Sequence, residues 1–113
     1  MAIYSNLTVD QGSNFQADID VTDSEGDVLN LAGYTVAGQI RKSYNSTTAT
    51  DFVGAIHNTS GGVVRITLTA IATNAMKAGR YVYDVEITKT ATSEVTRIVE
   101  GQLEVRPGVT RAS

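Results

Sequence analysis

A chain of 113 residues, 42% hydrophobic and 19% charged, has the length and composition of one folded domain and not of a disordered segment. A net charge of -3 leaves no broad basic field to hold a phosphate backbone, so nucleic acid is excluded as an expected partner. With no cysteine there are no disulfides, thiolate nucleophiles or cysteine-ligated zinc, and no run approaches the about 18 apolar residues of a membrane span.

Met1 to Asn6 carries neither the basic start nor the apolar run of a signal peptide, so secretion is not the expected route out of a cell. Leu7 and Val9 open a first strand. Phe15, Ala17, Ile19 and Val21 then alternate with Gln16, Asp18, Asp20 and Thr22, the period-two signature of a half-buried strand. Asp23-Ser24-Glu25-Gly26-Asp27 turns the chain, and Val28 to Leu31 is expected as a short returning strand. After Ala32-Gly33 the alternation resumes from Tyr34 to Arg41, where Gly38 predicts either a bulge or the close approach of a neighbouring segment.

Lys42 to Asp51 is rich in Ser, Thr and Asn and reads as an exposed loop. Phe52 to Ile56 is a brief strand, Asn58 to Gly62 a turn, and Val64, Ile66 and Leu68 line the next buried face. Thr69 is placed to cap a helix that carries Ile71, Ala75 and Met76 at helical spacing and stops at Gly79. Tyr81, Tyr83, Val85 and Ile87 give another inward face. In the last strand Val95, Arg97, Val99, Gly101, Leu103 and Val105 are expected to face inward, opposite Thr96, Ile98, Glu100, Gln102 and Glu104. Pro107-Gly108 ends it. The pattern predicts an all-β antiparallel sandwich of about seven to eight strands with one short helix near 70–77. Residues 1–107 form a single domain and 108–113 a polar tail.

The inventory for catalysis is thin. His57 is the single histidine, with no cysteine beside it and no evident serine partner, and reads as a strand-end histidine. Asp84, Glu86, Glu100 and Glu104 fall on outward faces, where water keeps carboxylates ionised, so no acid–base pair is expected. No catalytic residue, cofactor or metal is therefore expected. The nearest approach to a cation site is the acidic group Asp18, Asp20, Asp23, Glu25 and Asp27, a calcium candidate that lacks the glycine and distal glutamate of an EF-hand. Tyr4 and Tyr44 are the aromatic side chains expected outside, and Tyr44 with the acidic hairpin is the one constellation that a receptor- or carbohydrate-binding module would use.

Several segments together carry a resemblance: Leu7-Thr8-Val9-Asp10-Gln11-Gly12 leading into the strand at Phe15; Asp23 to Val36 running into Gln39-Ile40-Arg41; Leu68-Thr69 and a small-residue helix; Ala78-Gly79-Arg80-Tyr81-Val82-Tyr83-Asp84-Val85-Glu86; and Glu100-Gly101-Gln102-Leu103-Glu104-Val105. Over roughly residues 5 to 107 the chain resembles small structural domains of tailed-bacteriophage virions with an immunoglobulin-like sandwich, of the upper-baseplate and tail-fibre adaptor kind. The resemblance implies a non-enzymatic component of the head, neck, tail or baseplate, assembled in the host cytoplasm. Its partners would be other virion proteins and further copies of itself, met through edge strands and the loop at 42–51. The terminal segments Met1 to Asn6 and Arg106 to Ser113 are expected to order on assembly, and Tyr4, Tyr44, Asn45, Arg106 and Arg111 to make protein contacts.

Overall fold

Alternating side chains give nine strands and one helix in a computed structural model that describes residues 3–23, 25–43 and 45–108. In chain order these are β1 (Ile3–Tyr4), β2 (Leu7–Asp10), β3 (Phe15–Asp20), β4 (Tyr34–Arg41), β5 (Thr50–Asp51), β6 (Val53–Asn58), β7 (Val63–Leu68), α1 (Ala70–Ala75), β8 (Gly79–Lys89) and β9 (Glu94–Arg106). One sheet has the order β1-β9-β8-β4-β5, with β2 also on β9, and the other has the order β3-β7-β6. The two facing layers enclose Val9, Leu31, Ile40, Val64, Ile66 and Leu103, each no more than 1% exposed. Burial of each such side chain contributes about 1.5–3 kcal/mol.

The pairings β3-β7-β6 and β4-β8-β9 match the B-E-D and C-F-G strands of an immunoglobulin-like sandwich, with α1 in the E–F connection. A second mark of that fold lies at the start of β8. The Tyr81 hydroxyl donates to the Lys77 carbonyl, 2.8 Å away and four residues upstream, the geometry of a tyrosine corner. The position two residues on, where antibody domains carry a cysteine, is Tyr83. Tyr83, Phe52 and Phe15 form an aromatic chain through the core, with ring centroids 6.0 and 6.2 Å apart.

The sandwich departs from the expected antiparallel arrangement. β1 and β2 both run parallel to β9, in the register Ile3↔Val99 and Leu7↔Leu103. Period-two alternation reports which face is buried and carries no information on the direction of a neighbour. The expected returning strand at Val28 to Leu31 is reduced to a single bridge between Thr22 and Val28. Its backbone is satisfied elsewhere: Leu29 N–H bonds the Val21 carbonyl and Leu31 N–H the Thr59 carbonyl.

The last strand changes phase in its middle. Val85 opposes Val99, but Glu86 opposes Arg97, so Ile98 is one residue too many in β9. Ile98 and Val99 are both buried, and upstream of this bulge the faces exchange. Val95 and Arg97, expected inside, therefore face water, and Ile98, expected outside, lies in the core.

Phe52 crosses between the sheets. Its N–H bonds the Gly38 carbonyl of β4, ending the short β4–β5 ladder, and the chain continues as β6 on β7. The β4–β8 ladder is unbroken at Gly38, so close approach and not a bulge explains the glycine. A Cβ there would stand 3.0 Å from Phe52 Cδ2 and 3.1 Å from the Asp84 carbonyl oxygen.

Candidate binding surface

One end of the sandwich is held by side-chain hydrogen bonds. The turn between β2 and β3 lies against α1, and polar residues of both bolt them together. The Asn14 side chain accepts from Ala70 N–H at 2.8 Å, and the Thr69 hydroxyl, as N-cap, accepts from Ala72 N–H at 3.1 Å. Thr73, fully buried, donates to the Ser13 carbonyl at 2.8 Å and accepts from Gly12 N–H at 3.0 Å. Gln11 bridges three segments: its amide nitrogen donates to the Met76 carbonyl at 2.8 Å, its amide oxygen accepts from Gly108 N–H at 3.2 Å, and its backbone N–H bonds the Arg106 carbonyl.

These contacts refine two expectations. Of the three residues at helical spacing Met76 is in the core, whereas Ala75 is exposed and Ile71 is 85% exposed; within α1 itself the buried residue is Thr73. Arg106 is not part of a free tail but the last residue of β9, opposite Asp10. At the other terminus Ser5 N–H bonds the Glu100 carbonyl, the Tyr83 hydroxyl donates to the Ser5 carbonyl at 2.6 Å, and Gln102 N–H donates to the Asn6 side chain. Ile3–Tyr4 and Arg106 thus belong to strands of the sheet, and Ser5, Asn6 and Gly108 are hydrogen-bonded to the sandwich; the other residues of the two terminal segments, apart from Pro107, lie outside the described residues.

Beside α1 the segment between β4 and β5 forms the rim of an open groove of about 910 Å³. Arg41 Nη1 donates to the Ser46 carbonyl at 2.6 Å, and the Ser46 hydroxyl accepts from Ser43 N–H, which folds the rim back on itself. The floor is Ile40, Ala72, Ala75, Met76 and Tyr81, and the walls carry Asn45 and hydroxyl-bearing residues at 43 and 46–48. Both charged side chains in the lining are lysines, Lys42 and Lys77, and the Lys42 ammonium lies 4.8 Å above the Tyr81 ring. Neither lysine forms an ion pair among the described residues.

Tyr4 is 63% exposed and stands opposite Glu100 at the margin of the first sheet. Cross-strand register places it at the end of a row that runs through Glu100, Asp84 and Gln39 to Asp51. Arg97 ties this row together, 3.2 Å from Asp84 and 3.7 Å from Glu100. Asp84, Glu86 and Glu100 share this outer face with the guanidinium of Arg97 and the open solvent.

The acidic residues of the calcium candidate are not brought together. Among the described residues no group of three His, Asp or Glu side chains is placed to hold a metal ion. Asp18 is engaged across the second sheet with Arg65, Nε to Oδ1 at 2.8 Å, and this hydrogen bond holds its carboxyl below the usual aspartate range. Arg65 Nη2 also lies 3.2 Å from His57 Nε2, which accepts when the ring proton is on Nδ1. Asp23 folds inward on its own turn, its Oδ1 accepting from the N–H groups of Glu25 and Asp27. The hairpin lies at the far end of the sandwich from the groove, because β3 runs from Phe15, opposite Leu68 beside α1, to Asp20, opposite Val63. Tyr44 and Arg111 lie outside the described residues. Sequence reasoning missed Lys42, Lys77 and Gln11; the lysines are far apart in the chain, and nothing local marks them as neighbours.

No family model matches the chain, and no curated protein matches it. A solved structure does. InlP of Listeria monocytogenes is similar with a TM-score of 0.51 and 18% identity, over 93% of this chain and 28% of that one. The likeness is one of fold. The chain spans 28% of the length of that protein, so the match concerns a domain-sized part of it.

Proposed function

We propose that this chain is a non-enzymatic structural component of a tailed-phage virion, at the head, neck, tail or baseplate, working through protein–protein contacts with other virion proteins and with its own copies. The observation that carries this reading is the groove between the 42–50 segment and α1. It is a recessed, charged surface set on a rigid end of the sandwich, and its scaffold is fastened by Gln11, Asn14, Thr69 and Thr73. Loops held by a rigid framework are where binding concentrates on such folds. The sequence resemblance across roughly residues 5 to 107 supplies the particle. Three of the carboxylates, Asp84, Asp18 and Asp23, are engaged in cross-strand pairing and turn formation.

The test is sedimentation of particles from lysed host cells on a density gradient, with an antibody raised against this chain. The chain is expected to travel with the particles and to label them by immunogold microscopy. Recovery only in the soluble fractions at the top of the gradient overturns the proposal.

A further inference from the structure

From the placement of charge at the two ends of the sandwich we infer that copies of this chain associate head to tail, the acidic hairpin at Asp23–Asp27 of one copy seated in the lysine groove of the next. This rests on the reading of the chain as a multicopy structural protein, and names how the copies meet. The groove offers Lys42 and Lys77 with no carboxylate among the described residues of its lining, although the chain carries 12 acidic residues and a net charge of -3. The excess negative charge is elsewhere, and part of it crowns the opposite end. There Asp20, Asp23, Glu25 and Asp27 are all exposed.

The hairpin has the shape of an insert. Asp23 N–H bonds the Asp27 carbonyl at 2.8 Å, and the Asp23 carboxylate closes the tip through Glu25 and Asp27 N–H, so little order remains to be lost on docking. Val28, 59% exposed at its base, supplies an apolar contact for Ala72 and Ala75 of the groove floor. Donor and acceptor surfaces differ and lie at opposite ends, so the contact is heterologous. Repetition closes a ring if the rotation per copy permits, and otherwise extends a filament.

Sedimentation velocity of the full chain over a concentration series, at low and at high salt, reads the association directly. Wild-type chains are expected to associate at low salt, and the dissociation constant to rise at least about tenfold in high salt as exposed charges are screened. Lys42→Glu with Lys77→Glu should give monomers, as should Glu25→Lys with Asp27→Lys; Asp23 is left in place because it builds the turn. Mixing the two variants restores opposite charge at every contact, and association should return, which also shows that both are folded. A wild-type chain that stays monomeric to about 1 mM at low salt, or a mixture that stays monomeric, overturns the inference. A monomer that nevertheless travels with particles overturns only the stacking. Self-association by a chain absent from particles overturns only the virion reading.

Discussion

Replacing Gly101 by alanine tests how the amino-terminal strap is held. Gly101 is a buried residue of β9, and the Ser5 backbone lies directly on it. A Cβ at this position would overlap the Ser5 carbonyl oxygen and stand 2.8 Å from its carbon, too close for any real contact. The strap must therefore move, and three hydrogen bonds go with it: Tyr83 hydroxyl to Ser5, Ser5 N–H to Glu100 and Gln102 N–H to Asn6. At about 1 kcal/mol net for each, the loss is about 3 kcal/mol. That is a large share of the 5–15 kcal/mol typical of a domain, and corresponds to a fall in Tm on the order of 10 °C. Thermal unfolding by circular dichroism reads it. Tyr83→Phe removes one of the three bonds and should cost about 1 kcal/mol alone, yet almost nothing in the Gly101→Ala background, since Ser5 has already left. A Gly101→Ala protein within about 2 °C of wild type, or full additivity of the two changes, would refute the reasoning.

Thr73→Val keeps the shape of the side chain but strands Gly12 N–H and the Ser13 carbonyl, and should destabilise by about 2–3 kcal/mol in urea melts; a loss near zero would show that the hydroxyl is not the anchor of α1. Deleting Ile98 removes the bulge but leaves Glu94 to Arg97 opposite the same partners in β8 and on the same faces, so the variant should still unfold cooperatively and lose about 1.5–3 kcal/mol with the buried side chain; loss of a cooperative transition would contradict the register. Asp18 is held below the ordinary aspartate range by Arg65. A lowered folded pKa means its contribution is present above the ordinary value and is lost as pH falls through the folded one, so Asp18→Asn should flatten the acid limb of the stability curve; an NMR titration placing Asp18 at or above about 3.9 would remove the effect.

What could be read from the sequence and what could not divide along a physical line. Segments buried on one face declared themselves by alternation: Phe15–Asp20, Val63–Leu68 and Gly79–Lys89 stand in the structure as the pattern implies. A bulge defeats that reading, because the phase of β9 depends on one extra residue opposite β8 and not on anything local to Ile98. Strand direction is equally silent, which is why the parallel pairing of β1 and β2 was not foreseen. In α1 the helical spacing pointed to Ile71, but six residues have little face to bury, and a buried hydroxyl with partners in the neighbouring turn anchors it instead. The groove is a product of tertiary structure. Asn45 was expected to make contacts and lines it, while the charge that distinguishes it comes from Lys42 and Lys77, which only the fold brings together.

The proposed role makes this domain a part of an assembled particle that does its work by touching its neighbours. Quantitative mass spectrometry of purified particles measures that directly, by counting this chain against a major virion protein. The expected result is a fixed copy number that is a whole multiple of a rotational symmetry order. Absence from the particles, or a trace amount that varies between preparations, would contradict it.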